Sequence, residues 1–265
     1  MQEIVIKNLP DVGVNQKALI KAQLLEYLWE REKLKEAAFE FPSRKETRYL
    51  FGNITNFELA QSLKPNAYLA HRAAMFLNNL CVDFPETIHI NVEQSQQHKR
   101  NTNSLTQVAI DQAFKNKARV SNEIAEANGV RVCITHGQKT DQLGVETKKG
   151  PVGEALRVTS IERTLIDITV RPIYAGGPTE VLKAYKEAAN IVSIDKLNKI
   201  LNKMNFVYPF HQAIGFYLHA SQSYSQSVID SFKNSQKEFD FYLDYRMKNP
   251  EYSKQWRIFY PANLI

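Results

Sequence analysis

Between Lys17 and Arg31, the residues Ile20, Leu24, Leu25 and Leu28 fall on one stripe with charged residues on the other side, and this spacing predicts an amphipathic helix. The period then drops to two. Ala37, Phe39 and Phe41 alternate with Ala38 and Glu40, and Thr47, Tyr49 and Phe51 alternate with Arg48 and Leu50, which predicts two strands joined by the polar turn Pro42-Ser43-Arg44-Lys45. A connection containing a short helix follows over Gly52 to Pro65. From Ala67, the positions Leu69, Ala73, Phe76, Leu77 and Leu80 return to helical spacing. Ile88, Ile90 and Val92 alternate with His89, Asn91 and Glu93 as a half-buried strand, Ser95 to Asn103 is a polar loop, and Leu105 to Phe114 is helical. Strands are predicted at Val130 to Ile134 and Ala155 to Val158.

The second half is punctuated by capping residues. Thr159 and Glu162 have the spacing of a capping box, in which a hydroxyl and a carboxylate satisfy backbone amides that lack helical partners. Gly176-Gly177-Pro178 opens another helix, with the proline suited to its first turn. Ser193 caps a third, in which Ile194, Leu197, Leu201 and Met204 repeat on one face. The tail reads as strand, with Phe239, Phe241, Leu243 and Tyr245 alternating with polar residues and Trp256 to Tyr260 β-like in composition. The sum is a mixed α/β (α+β) chain in two parts. Residues 1–65 have the helix and hairpin that form the back half of a winged-helix module, without room in Met1 to Asn15 for the two helices that normally precede them. Residues 66–265 form a larger mixed-sheet domain.

Composition narrows the classes. At 265 residues, 43% hydrophobic and 23% charged, the chain is neither disordered nor coiled coil. No apolar run approaches the ~20 residues of a bilayer helix, and the first residues lack the apolar core of a signal peptide, so a cytoplasmic protein is expected. Cys81 and Cys133 have no metal-ligand spacing and read as small buried hydrophobes. A formal net charge of +6 permits an acidic partner. The most basic stretch is Ser95 to Thr140, with seven Lys or Arg against three Asp or Glu. A candidate DNA footprint lies on the N-terminal module: Arg31, Lys33, Lys35, Arg44, Lys45 and Arg48, with Glu32, Glu36, Glu40 and Glu46 among them. Arg44 and Lys45, in the turn, are the best placed.

Catalytic patterns are weak. The single Gly-Gly pair lacks the lysine of a phosphate loop, the six histidines show no ligand spacing, and no G-x-S-x-G elbow is present. No cofactor, metal or catalytic residue is therefore assigned. Arg163 and Asp167, at i and i+4, read as a helix ion pair, whereas Glu162 and Asp167 point to different faces. Asp240, Tyr242 and Asp244 share one face of the expected tail strand, which reads as a solvated sheet surface. A restriction-endonuclease-like nuclease is the alternative from another class; it needs an acidic-x-Lys pair on a strand beside a further acid, and none falls on an expected strand of the second half.

Three blocks of the second half, Tyr68 to Leu80 (YLAHRAAMFLNNL), Val158 to Val170 (VTSIERTLIDITV) and Ala175 to Ala189 (AGGPTEVLKAYKEAA), resemble the AbiEi family, the antitoxins of abortive-infection type IV toxin–antitoxin systems. Tyr208 to Leu218 and Phe239 to Pro261 also fit a branch of that family. The resemblance covers most of residues 48–265, and its most specific element is the S-x-E-R-T-L-I-D block followed by the Gly-Gly turn. It implies an antiviral-defence antitoxin without enzymatic turnover, which represses its own operon through an N-terminal winged helix and counteracts a nucleotidyltransferase-like toxin. The matching residues Thr159, Glu162, Arg163, Asp167, Gly176 and Gly177 are then structural. The chain departs from the family pattern by starting just before the helix and wing.

Overall fold

The computed structural model describes residues 34–95, 105–233 and 237–265, together with the backbone of 3–5 and the separate helical positions Gln23, Glu26, Tyr27 and Trp29. Most of the helix expected over 17–31, the residues Arg31 and Lys33, and nearly all of the loop expected over 95–103 lie outside these. The fold is of the mixed α/β class.

At the N-terminal end, β1 (Glu3–Val5) runs parallel to β3 (Arg44–Phe51), which pairs antiparallel with β2 (Leu34–Phe41). Phe41 opposes Arg44, so the hairpin loop is Pro42-Ser43 alone, tighter than the expected four-residue turn. Arg44 and Lys45 belong to the strand because pairing extends to the last residue before the loop. Phe39 and Phe41 are buried in the same apolar cluster as Phe57, Leu59, Ile90 and Val132, each contributing roughly 1.5–3 kcal/mol by leaving water. This cluster crosses residue 65 without interruption.

Helix α1 (Asn56–Ser62) opens on a reciprocal capping box between Thr55 and Glu58. Next come β4 (Tyr68–Leu69), α2 (His71–Leu77), β5 (Ile88–Glu93), α3 (Gln107–Lys115), β6 (Ile124–Ala127), β7 (Val130–Gly137), β8 (Val145–Lys149) and β9 (Ala155–Thr159). The six strands form one mixed sheet in the order β6-β7-β5-β4-β9-β8, with β5/β7 and β4/β9 parallel. The expected helix from Ala67 therefore starts only at His71. Leu69 pairs with Ile90 and Val158, and these ladder bonds override its helical spacing. The edge strands β6 and β8 escaped the sequence reading because edges face solvent and lose the apolar alternation, as the run Val-Glu-Thr-Lys-Lys of β8 shows.

A second core is built by helices α4 (Ile161–Val170), α5 (Pro178–Ala188), α6 (Ile194–Met204), α7 (Phe210–Ala220) and α8 (Gln226–Lys233). Ser160, not Thr159, caps α4: its hydroxyl accepts from the Arg163 amide at 3.4 Å. Thr159 ends β9, fully buried, with its hydroxyl 2.8 Å from that of Thr164, so the expected capping box is displaced by one residue and Glu162 is freed for other bonds. Ser193 caps α6 as expected, and Asn205 ends it in the left-handed conformation.

The chain finishes with β10 (Phe241–Tyr242), β11 (Pro250–Ser253) and β12 (Ile258–Pro261) in a small sheet against α7. The long tail strand expected from Phe239 is cut to two residues, since Arg246 turns the chain away at φ 50° with its amide bonded to the Phe114 carbonyl. Trp256 is fully buried against Gly215; a Cβ there would lie 2.2 Å from the indole.

Candidate functional site

The expected DNA footprint separates into three kinds of residue. Lys35 and Lys45 are exposed. Arg44 is spent on ion pairs, with Nε 2.9 Å from Glu46 and Nη2 2.7 Å from Glu123. Arg48 is buried and donates to the carbonyls of Ser62 and Thr47, which removes it from the footprint; the alternation set it apart from Thr47, Tyr49 and Phe51, yet Phe51 is exposed and the Arg48 face is the one that helix α1 covers. Burial works against the charge of Glu46, but hydrogen bonds from Lys64 and Arg44 outweigh it and hold its carboxyl below the usual range. The same balance holds Glu123 down, through Arg44 and His136.

The residues of the S-x-E-R-T-L-I-D block form an interlocked support. Glu162 accepts from the Ser160 hydroxyl at 2.9 Å, from Lys196 at 2.9 Å and from the Ser193 amide at 3.1 Å, tying the start of α4 to the start of α6. Arg163 is buried; its Nε lies 2.7 Å from Asp167 Oδ1 and its Nη1 donates to the Leu143 carbonyl at 2.6 Å. Desolvation opposes its charge, yet Asp167 and, further off, Glu93 raise its pKa above the ordinary value. Gly176 and Gly177 sit at φ 100° and 97°, the region where L side chains are strained. Their turn is braced by Arg72, which donates to the Ala175 carbonyl at 3.0 Å and to Glu180 at 2.8 Å.

Arg163 and Asp167 also form part of the wall of a cavity of about 570 Å³, within the size range of small-molecule sites. Its polar side comes from the ends of β5 and β7, with Asn91, Thr135, His136 and Gln138, and its aromatic side from Phe206, Tyr208, Phe210 and Tyr245. Arg119 and Arg171 complete the lining. His71 lies at its inner edge in the left-handed conformation at φ 52°, which costs a non-glycine residue about 1–2 kcal/mol. The Tyr174 ring packs against both His71 and His89, with centroids at 4.9 and 5.1 Å, and the two imidazoles meet edge-on at 5.9 Å. Burial drives the pKa of His71 well below that of a free histidine and lowers His89 to about 4, so both rings are neutral at physiological pH. Among the described residues, the buried Nδ1 of His71 has no hydrogen-bond partner.

Sequence reasoning missed this cavity because its walls come from many separate segments. Its only sequence signals were the basic stretch that contains Arg119 and the unexplained histidines. Among the described residues, no group of three or more His, Cys, Asp or Glu side chains is arranged to hold a metal. The acids of the expected tail strand do not converge: Asp240 pairs with Arg257 at 2.8 Å, Tyr242 donates to Asp111, and Asp244 accepts from the Tyr245 amide.

One expectation about acidic-x-Lys triplets is corrected. An acidic-x-Lys triplet does lie on a strand, Glu146-Thr147-Lys148 of β8, unnoticed because that edge strand has no apolar alternation. Lys196 bridges Glu146 and Glu162 at 3.8 and 2.9 Å, and Lys148 donates to Asn78 at 2.6 Å.

Comparison with known proteins finds fold likeness alone. No family model matches the chain, and no curated protein matches it either. Among solved structures, the RV2827C protein of Mycobacterium tuberculosis is similar over 90% of this chain and 78% of its own, with a TM-score of 0.54 and 13% sequence identity. The similarity defines the class as this mixed α/β architecture and extends across both parts of the chain. No helix among the described residues is long and apolar enough to cross a membrane.

Proposed function

We propose that this protein is an AbiEi-type antitoxin of a type IV toxin–antitoxin operon, acting in the cytoplasm without enzymatic turnover to counteract a nucleotidyltransferase-like toxin. The supporting observation is spatial. The segments that resemble the family, scattered between Tyr68 and Pro261, are neighbours: α4 packs on α2, α5, α6 and α7, and α7 packs on β10 and β12. A resemblance carried by one shared framework has this distribution. The ion pair of Arg163 and Asp167 and the bonds of Glu162 give the family block a supporting role rather than a reactive one.

Autoregulation is the second half of the reading, with operator DNA as the partner. Lys35 and Lys45 are the exposed basic groups of the hairpin that would meet phosphates, and Arg44 contributes mainly by fixing the hairpin. The test is co-expression of this chain with a nucleotidyltransferase-like toxin, together with binding to DNA upstream of its gene at two salt concentrations with scrambled competitor. Rescue of growth supports the antitoxin; failure to rescue, with the chain folded and expressed, rejects it. Specific, salt-weakened DNA binding supports autoregulation, and sequence-indifferent binding rejects it.

The nuclease reading is retained on one observation, the strand placement of Glu146-Thr147-Lys148 close to Glu162. Magnesium-dependent cleavage of DNA or RNA that is lost in Glu146→Gln would establish it in place of the antitoxin.

A further inference from the structure

Arg119 and Arg171 differ from the other charged groups around the cavity. Arg163 is matched by Asp167, and Glu123 is matched by Arg44 and lies 3.2 Å from His136. Arg119 and Arg171 pair with no carboxylate among the described residues; the one side-chain bond Arg171 makes among them is to the Arg119 carbonyl at 3.2 Å. Two guanidinium groups without counter-charges beside one cavity are a ready receptor for phosphate, whose oxygens match their planar donors.

Part of the cavity wall is aromatic. Phe206, Tyr208 and Tyr245 are half-buried and line the cavity, and such faces take up flat rings by stacking. His71 is 7% exposed, and its Nδ1 is buried with no hydrogen-bond partner among the described residues. A buried polar atom of this kind calls for a hydrogen bond from something else. The chain also holds His71 in a strained backbone conformation, as recurs at ligand sites.

We propose that this cavity binds a nucleoside phosphate, with the phosphate on Arg119 and Arg171, the base against the aromatic wall, and a polar atom of the ligand meeting His71. The volume of about 570 Å³ accommodates a mononucleotide, and a bare anion would leave the aromatic wall and the histidine without a role. This binding does not depend on the antitoxin reading, since it is read from the groups that line the cavity and uses neither exposed lysine of the hairpin.

The experiment is isothermal titration calorimetry of the full chain with AMP, GMP, CMP and UMP in turn, and with inorganic phosphate and the parent nucleosides as controls. The expected result is at least one mononucleotide bound with a Kd below ~1 mM, with phosphate and nucleoside each at least about tenfold weaker. Arg171→Gln and Arg119→Gln should each weaken the nucleotide about tenfold, while leaving the melting temperature nearly unchanged. The Arg119 side chain makes no hydrogen bond among the described residues, so its variant remains informative if Arg171→Gln disturbs the fold. Absence of binding by all four nucleotides overturns the proposal. So does affinity unaltered in both variants, or phosphate binding as tightly as nucleotide.

Discussion

Arg44 Nη2 lies 2.7 Å from Glu123 Oε2 across 79 positions of the chain, and this bond fastens the N-terminal hairpin to the segment that leads into β6. A basic residue beside a hairpin loop thus acts as a tether. Both side chains are mostly covered, so the bond is less screened than a surface pair. Arg44→Ala is expected to lower stability by about 1 kcal/mol in urea denaturation, and Lys45→Ala to leave it within about 0.5 kcal/mol. If the hairpin meets DNA, Lys45→Ala should flatten the salt dependence of binding by about one unit of log–log slope. Equal stability loss in the two variants would refute the tether.

The buried pair of Arg163 and Asp167 leads to a larger effect. Removing one partner strands the other charge in a region with little water, at a cost of about 3–5 kcal/mol. Arg163→Ala and Asp167→Ala are each expected to lose that much in equilibrium unfolding, and the double substitution less than their sum. Additive losses would mean that the two do not act as a pair. Where Arg163→Ala remains folded at low temperature, DNA affinity should match that of the unaltered chain, because the Arg163 side chain bonds to Asp167, Thr140 and Leu143 and not to the hairpin.

What the sequence disclosed, and what it concealed, follows from how local each signal was. The stripe of α6, the cap at Ser193 and the start of α5 at Gly177-Pro178 depend on residues a few positions apart, and all were legible. The edge strand β8 was not, since solvent on its flank removes the alternation that marks a half-buried strand. Leu69 had helical spacing, yet its partners Ile90 and Val158 sit elsewhere in the chain and turned it into strand. The candidate site was the least legible part. Arg48 looked like its hairpin neighbours until α1 covered it, and His71, Arg119, Arg171 and Tyr208 share a cavity that no stretch of sequence contains.

Gly215 offers a steric test of the second core. It sits within α7, where glycine is usually a weak choice, and the close approach of Trp256 explains its presence. Gly215→Ala would gain helix propensity of about 1 kcal/mol if the site were open. The 2.2 Å approach to a fully buried indole reverses the sign, and a net loss of about 1–3 kcal/mol is expected from overpacking. The loss should come with a changed tryptophan emission spectrum, since Trp256 must move. Stabilisation with an unchanged spectrum would show that the packing is looser than described.

The last expectation concerns acid. His71 and His89 are buried and neutral, with the pKa of His89 lowered to about 4 and that of His71 well below the ordinary value, chiefly by desolvation. In the unfolded chain both titrate near 6.5, so between that pH and about 4 the unfolded state binds protons that the folded state does not. Stability must therefore fall as pH drops through this window, by up to about 1.4 kcal/mol per pH unit for each histidine. Carboxylates held low by their partners, such as Glu93 and Glu162, add their loss below this range. Asp244, whose carboxyl is raised by burial, works in the opposite direction near the acid end. The histidine contribution can be isolated by measuring urea midpoints at pH 7.5, 6.0 and 5.0 in the parent chain and in His89→Gln. The midpoint of the parent should drop at each step, and His89→Gln should show a shallower decline whatever its stability at pH 7.5. A parent midpoint that is flat or rises between pH 7.5 and 5.0 would mean that these two rings take up protons in the folded protein and are not sealed from water by Tyr174.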